Sequence, residues 1–508
     1  MMKTISKSRF ISGVQCHKKI WFDYFRRDLK SPTDAGTQRI FDLGHEIGKL
    51  ACNVFPNGKD ATPEQFYDLL PAAQKTTQWI REKVETIYEA TFIAENSSAM
   101  LDILHRKDGQ LWAIEVKNST SPKDYHFQDA ALQYYVMTQS GHQPDRFYLM
   151  YINNQYERDG ELSNDLFKME DITNRIIEKQ EWVSENLECL SGILQSDIEP
   201  EVSIGGHCGN PFACDYQHHC WSHVPENSVF DLTNGRNKPW DLYASNILKL
   251  DEIPDDYLLT FNQQLQVNGL KNGAGNFNPL AISEFLSTWK QPLHYFDFET
   301  INPALPLLNG TRPYQQIPFQ YSLHIHANNG ELSHKEFLAK SIDFMNGSVD
   351  PRKQLIEQMK LDFLPEGSIV TYNMPFEKRI LQELATDFPE DAVFISNLID
   401  RLVDLLPIFR NRWYYTPQMG GSASIKSVLP AIITTISYND LKIKEGGTAS
   451  DSFLRSILDS ERNTPELQNN LLKYCEMDTL AMVELYNHLN VKTIFFLDKQ
   501  SKTISLLQ

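Results

Sequence analysis

Apolar residues recur with two different periods along this chain, and the changes between them mark its parts. The opening region is helical in pattern. It then alternates in "SAMLDILHR" (98–106) and "LWAIEVKNS" (111–119), two strand-like runs joined by the hairpin-turn sequence "KDGQ". "DAALQYYVMTQSG" (129–141) follows as an amphipathic helix. A helical connector is expected over 226–285, with the Gly- and Asn-rich "NGLKNGAGNFNP" (268–279) as its linker and a softer break at "NGRNKP" (234–239). From 286 to 492, strands ("LHYFDFE", "PFQYSLHIH", "GSIVTYN") mix with helices ("RKQLIEQMKLDFL", "FEKRILQELA", "NNLLKYCEMDTLAMVELYNHL"), and 493–508 reads as a tail. The expectation is an α/β protein with one domain over 1–225, a connector, and a second domain over 286–492.

Composition adds limits. The chain has 508 residues, too many for one ordinary core, and its 41% hydrophobic and 22% charged content is that of a globular protein. No apolar run reaches the length of a membrane span, and the basic "MMKTISKSRFISGVQ" lacks a long apolar segment, so neither a membrane partner nor a signal peptide is expected and the cytoplasm is the expected location. The net charge of −18 counts against indiscriminate coating of nucleic acid. It leaves a nuclease open, because clustered metal-binding carboxylates themselves lower the net charge. The cysteines are Cys16, Cys52, Cys189, Cys208, Cys214, Cys220 and Cys475, an odd set of seven that speaks for metal binding where they cluster rather than for a disulfide framework.

The stretch "HYFDFET" (294–300) sets Asp297 and Glu299 one residue apart on a strand, hence on one face. Two carboxylates so close resist ionising together, and a divalent cation between them removes the penalty. In "VTYNMPFEKRIL", Glu377 falls in the first turn of a helix after a strand. In "YCEMDTLAMVEL", Tyr474 and Asp478 share a helix face. A strand D-x-E, then N-x-x-F-E opening a helix, then Y-x-x-x-D late in the domain resembles the DEDDy branch of the RNase H-like 3′–5′ exonucleases, with Glu377 where the family has Asp. The resemblance covers about 200 residues. It implies that Asp297, Glu299, Glu377 and Asp478 hold two magnesium or manganese ions and that Tyr474 orients the attacking water. "GGSASIKSVLP" (420–430) leads into a helix at which Ser424 and Lys426 are candidate phosphate contacts, a plain capped helix being the alternative. Asp404 in "RLVDLLP" is a reserve ligand with a structural role as its alternative.

In the first domain, Asp102 precedes Glu115-Val116-Lys117, with Glu115 and Lys117 on one strand face. This is a metal-dependent hydrolase pattern in which carboxylates hold magnesium and the lysine offsets developing charge. His45 in "FDLGHEIGKLA", Gln133 with Tyr134 on the following helix, Cys16 in "FISGVQCHKKIWF", and Cys208, Cys214 and Cys220 in "HCGNPFACDYQHHCW" complete the constellation. Over about 220 residues it resembles the iron–sulfur RecB-type nucleases of the PD-(D/E)XK superfamily, although the family's late cysteine triplet is often spaced more tightly. The resemblance implies a restriction-endonuclease-like domain with His45, Asp102 and Glu115 as metal ligands, Lys117 as catalytic lysine and Gln133 as support. It also implies a [4Fe–4S] cluster stapled by Cys16, Cys208, Cys214 and Cys220. Zinc bound locally by the three late cysteines with His207, His218, His219 or His223 is the competing reading. Cys52, Cys189 and Cys475 read as ordinary core or helix residues.

The combined expectation is a nuclease with two metal-dependent sites, acting on DNA in preference to RNA but with RNA still open, in repair, recombination or defence. The alternatives are a nucleic-acid-binding scaffold with one degenerate nuclease domain, and a zinc-containing regulator.

Overall fold

The computed structural model describes residues 4–346 and 349–505. It is a mixed α/β structure of two compact units, Met1–His223 and Val224–Gln508. No described helix is long and apolar enough to cross a membrane.

The first unit opens with β1 (Ile5–Ser6), α1 (Lys7–Gln15), α2 (His17–Phe25), α3 (Ala35–Cys52), β2 (Lys59–Asp60) and α4 (Leu70–Arg81). A meander of β3 (Thr86–Ala94), β4 (Ser97–Lys107) and β5 (Gln110–Lys117) follows, then α5 (Asp124–Gln139), β6 (Arg146–Ile152), β7 (Phe167–Asp171) and α6 (Gln180–Gln195). The turn between β4 and β5 places Asp108 (φ 51°) and Gly109 (φ 77°) in the left-handed region, as a two-residue hairpin with right-twisted strands requires. β5 and β6 are parallel, connected through α5. That helix packs against the sheet, α1 and α6. It is therefore buried on nearly every side rather than amphipathic, with His126, Asp129, Gln133 and Tyr134 all inside.

One irregularity in this sheet positions the chemistry. β4 and β5 pair from Lys107↔Gln110 to Ile103↔Ile114 and then part. Beyond the fork β1 takes the vacated edge of β4, pairing Ile5↔Ser97 and Ser6↔Ser98 in parallel. Asp102 sits at the fork, where its Oδ2 accepts the Val116 backbone N–H at 2.6 Å in place of a ladder bond.

In the second unit, residues of the expected connector form a small core of their own from Val229, Leu232, Leu242, Leu250, Ile253 and Val267. α7 (Phe261–Asn272) runs into the expected linker and ends at a left-handed Gly273 (φ 76°). The main sheet contains β8 (Leu293–Ile301), β9 (Ile317–His326), β10 (Leu332–Leu338), β11 (Ile369–Thr371) and β12 (Leu402–Asp404), in the order β10-β9-β8-β11-β12. The first three are antiparallel, and β8, β11 and β12 are parallel. Phe296, Phe298, Tyr321, Leu323 and Ile325 pack one sheet face on α8 (Pro351–Asp362) and α9 (Pro375–Asp387). The other face, with Tyr295, Ile301 and Phe319, meets α10 (Ile425–Ile432), α11 (Gly446–Leu458) and α12 (Pro465–Ser505). α12 has 41 residues, so 493–505, expected as a tail, continue the last helix; 506–508 lie outside the described residues.

Candidate functional site

The alternation of β8 sends Phe296 and Phe298 into one core and Tyr295, Asp297 and Glu299 to the opposite face, beneath α12. Tyr474 and Asp478, one turn apart on α12, come down onto that face. One oxygen each from Asp297, Glu299 and Asp478 lies within 4.8 Å of the others. These acids line an open pocket of about 380 Å³ with Tyr474, Lys426, Tyr372, Phe376 and Gly446.

Burial and mutual repulsion hold protons on these acids. Asp297 is lifted well above the carboxylate range, by burial first and then by Asp478, Glu299 and Glu377. Glu299 is pushed up to about 8 by burial and Asp478, against the pull of Lys426. Asp478 rises to about 6, because burial outweighs the hydrogen bonds from Tyr438 and Tyr474 and the charge of Lys426. Glu377, in the first turn of α9, is 2% exposed and raised to about 8 by burial and Asp404. Its Oε2 is buried without a hydrogen-bond partner. Glu377 is outside the group of three and does not line the pocket, yet its charge bears on Asp297.

Lys426 Nζ donates to the Lys444 carbonyl at 2.7 Å and to Tyr474 Oη at 2.9 Å, so the lysine lines the pocket. Ser424 is exposed, does not line it, and hydrogen-bonds instead to Ser422 and Ser427. Asp404 is a backbone clamp: its Oδ1 accepts from the N–H groups of Asn373 and Leu406, each at 3.0 Å, fixing the strand-to-helix turn before Glu377. Two neighbours had no sequence signal. Tyr438 donates to Asp478 Oδ1 from a 3-10 turn, and the buried Cys475 Sγ lies 3.9 Å from Asp297 Oδ2. Cys475 is thus in contact with the site, although its sequence setting reads as an ordinary helix position.

In the first unit, Glu115 is 1% exposed and fully engaged. Its Oε1 accepts from Lys117 and Lys7, each at 2.7 Å, and its Oε2 from Gln133 Nε2 at 2.8 Å. Burial alone raises Glu115, but the charges of Lys117 and Lys7 prevail and hold it far below the usual range. Asp102 goes the other way, raised well above it by burial, Glu115 and Glu89. Lys117 also donates to Asp129 Oδ2 at 2.5 Å. Gln133 Oε1 is buried with no partner. Lys7 reaches Glu115 because α1 begins inside the fork; nothing in "ISKSRF" foretells it. Asp129 was legible, four residues before Gln133 on one helix. His45 is exposed on α3, whereas Glu115 is buried. The face of α3 that packs on β5 carries Ala51 against Ile103 and Ile114.

Cys16, Cys208, Cys214 and Cys220, far apart in sequence, line one hollow with His207, Lys19 and Phe22. Gln15 Nε2 ties the end of α1 to the late loop through the carbonyls of His207 (2.8 Å) and Phe212 (2.7 Å). Burial pushes the thiols of Cys16 and Cys220 up and that of Cys214 to about 11. Among the described residues no three of these sulfurs, with or without a histidine nitrogen, lie within 4.8 Å of one another. Of the zinc-ligand alternatives, His218 bonds Ser31 at 2.9 Å and His219 packs edge-on to Phe22.

A profile described as domain of unknown function DUF2779 matches residues 294–424, a span that includes Asp297, Glu299 and Glu377 and ends before Asp478. The uncharacterized protein MG366 of Mycoplasma genitalium is 30% identical over 262 residues, 45% of this chain and 39% of that protein. The Mycoplasma pneumoniae homolog of MG366 is 31% identical over 222 residues, 40% of this chain and 33% of that protein. The uncharacterized protein UU173 of Ureaplasma parvum is 27% identical over 264 residues, 47% of this chain and 36% of that protein. The matches thus span less than two fifths of each of these relatives. A solved structure, that of SSO0001, aligns with 44% of this chain and 87% of its own at 12% identity and a TM-score of 0.22, too low to carry an argument.

Proposed function

We propose that this chain is a metal-dependent nuclease with two separate phosphodiester-hydrolysing sites, acting on DNA, with RNA as the alternative substrate. In this reading the second unit is an RNase H-like DEDDy exonuclease and the first a RecB-type PD-(D/E)XK nuclease with an iron–sulfur staple. The observation that carries it is the convergence of Asp297, Glu299 and Asp478 within 4.8 Å at an open pocket. The sheet order, three antiparallel strands continued by two parallel ones, and the β4/β5 fork with its D…E-x-K set support the two fold assignments.

The donor set fits hard divalent ions. It is all carboxylate oxygen, it is charged only at the cost of repulsion, and Glu377 Oε2 is left without a partner. Two magnesium or manganese ions on Asp297, Glu299, Glu377 and Asp478 would supply Lewis-acid activation of water and charge neutralisation at the leaving 3′ oxygen. Tyr474 keeps its proton, because burial and the neighbouring acids raise it, and its hydroxyl is held by Lys426, which suits it to orient a water. Lys426 presents a fixed cation at the pocket wall for the scissile phosphate. In the first unit Asp102 and Glu115 are the ion-binding carboxylates, Gln133 holds Glu115 in place, and Lys117 is the cation that offsets charge on the phosphate. The four cysteines sharing one hollow form a donor set for iron–sulfur chemistry.

One observation favours a second reading for the first unit alone, a nucleic-acid-binding platform with a degenerate site. Glu115 already accepts from Lys7, Lys117 and Gln133, and His45 is exposed. Cleavage of 3′-blocked and 5′-blocked DNA separates the readings. Two active sites predict sensitivity to end-blocking that differs between the Asp297→Ala and Lys117→Met variants. Indifference of both to either block counts against two end-processing sites.

A further inference from the structure

A second group of potential ligands lies on the same sheet face as the acids, on β9 and β10 beside the acid-bearing β8. His324 on β9 and His334 on β10 are directly paired across the antiparallel ladder. Their rings stack with centroids 4.4 Å apart and planes at 27°. Glu476, two residues before Asp478 on α12, completes the set: one ligand atom from each of His324, His334 and Glu476 lies within 4.8 Å of the other two. His324 is buried and the other two are half-buried, so the group has access to solvent.

One assignment of the hydroxyl protons satisfies every hydrogen bond around the rings, and it gives each ring its tautomer. Thr479 Oγ1 donates to the Glu476 carbonyl oxygen at 3.0 Å, and a carbonyl can only accept. Having spent its proton there, Thr479 Oγ1 must accept from both its other partners, His324 Nδ1 at 2.8 Å and Ser322 Oγ at 2.7 Å. Ser322 Oγ, committed as donor to Thr479, must in turn accept from His334 Nε2 at 2.9 Å. His324 therefore carries its proton on Nδ1 and His334 on Nε2. The bare lone pairs are His324 Nε2 and His334 Nδ1. Burial and the neighbouring His334 hold His324 at about 4, so its ring is neutral at physiological pH. His334 Nδ1 is 3.9 Å from Glu476 Oε1, too long for a hydrogen bond. Two ligands of one tetrahedral ion, each about 2.1 Å from it, lie about 3.4 Å apart, so only a small closure is needed. Imidazoles whose other nitrogen is tied to a fixed acceptor are the usual arrangement of metal-binding histidines.

We propose that His324, His334 and Glu476 form a binding site for a zinc-class divalent transition ion, distinct from the carboxylate pocket. Two nitrogens and one oxygen, leaving a fourth position for water, suit zinc and not magnesium. The ion joins the β9–β10 hairpin to α12 at Glu476, midway between Tyr474 and Asp478. It thereby sets the register of the helix that carries Tyr474 and Asp478.

The test is cobalt binding to the full chain after chelator treatment. Four-coordinate cobalt in this site gives intense visible d–d absorption, unlike the weak bands of six-coordinate cobalt on the carboxylates, and lacks the near-ultraviolet charge-transfer band of thiolate ligation, which separates it from ions at both other kinds of site. One equivalent with that signature is expected in the wild type and in Cys208→Ser, and none in His334→Ala or Glu476→Gln. Thr479→Val, which removes only the support of His324, is expected to weaken cobalt binding about tenfold or more. Should His334→Ala fail to fold, Glu476→Gln decides alone, since that carboxylate is half-exposed and the amide keeps its shape. Cobalt stoichiometry and affinity in Glu476→Gln equal to those of the wild type would overturn the proposal.

Discussion

Replacing Asp478 by Asn is expected to stabilise the second unit in the absence of metal and to abolish its response to magnesium. The amide keeps the shape of the side chain and still accepts from Tyr438. It removes the charge that raises both Asp297 and Glu299. Carboxylate oxygens within 4.8 Å of one another repel by about 3 kcal/mol per ionised pair at an effective dielectric constant of about 20. The pH dependence follows from the direction of the shifts. A carboxyl whose folded pKa lies above its unfolded value stabilises the fold fully below the unfolded value, and that contribution is lost as pH rises through the folded one. With Asp478 at about 6 and Glu299 and Glu377 at about 8, the metal-free wild type loses stability between about pH 4 and about pH 8. Asp478→Asn should match the wild type below about pH 4 and exceed it by about 1–3 kcal/mol at about pH 8, a Tm gain of roughly 3 °C or more. Magnesium should raise the wild-type Tm at the higher pH by mass action and leave the variant unmoved. Calorimetry in chelator and in magnesium reads both. A variant less stable than the wild type at high pH in chelator, or one that keeps the magnesium response, refutes the reasoning.

Tyr474→Phe should lower cleavage by the second unit about 100-fold, the scale for removing one oriented donor, with metal-dependent stabilisation retained; an unchanged rate removes Tyr474 from the chemistry. Lys117→Met should abolish cleavage by the first unit. Lys7 still pairs Glu115, so the unit should stay folded at a cost of about 2 kcal/mol from the lost Asp129 bond, as circular dichroism melts would show. Cys16→Ser should lose iron and colour and loosen the first unit to protease, because a cluster joining Cys16 to Cys208–Cys220 closes a very long loop. Full metal content in that variant points to local zinc instead.

Local patterning made a good part of this legible. The hairpin around Asp108-Gly109, the shared face of Asp297 and Glu299, the placement of Glu377 in a first helical turn, and the helical spacing of Tyr474 and Asp478 are all set by neighbours within a few residues. What escaped is non-local. Lys7 enters the first site only because β5 leaves β4 and β1 fills the gap, and Tyr438 meets Asp478 from a turn 40 residues away. His324, His334 and Glu476 meet because a strand pairing and a long helix superimpose them. Lys426 was read as a phosphate contact beside Ser424, but the helix turn separates them and sends only Lys426 into the pocket. His45 was expected only from the family resemblance, which does not say which face of α3 meets the sheet in this chain.

The most direct measurement is a nuclease assay of anaerobically purified full chain on single- and double-stranded DNA and RNA, with magnesium or manganese. Asp297→Ala, Lys117→Met and the double variant run alongside. Two independent sites predict that the wild type cleaves DNA, that each single variant loses a different part of the activity, and that the double variant is inert. A wild type that cleaves nothing, or a double variant that cleaves as the wild type does, would contradict the assignment of these carboxylates to phosphodiester hydrolysis.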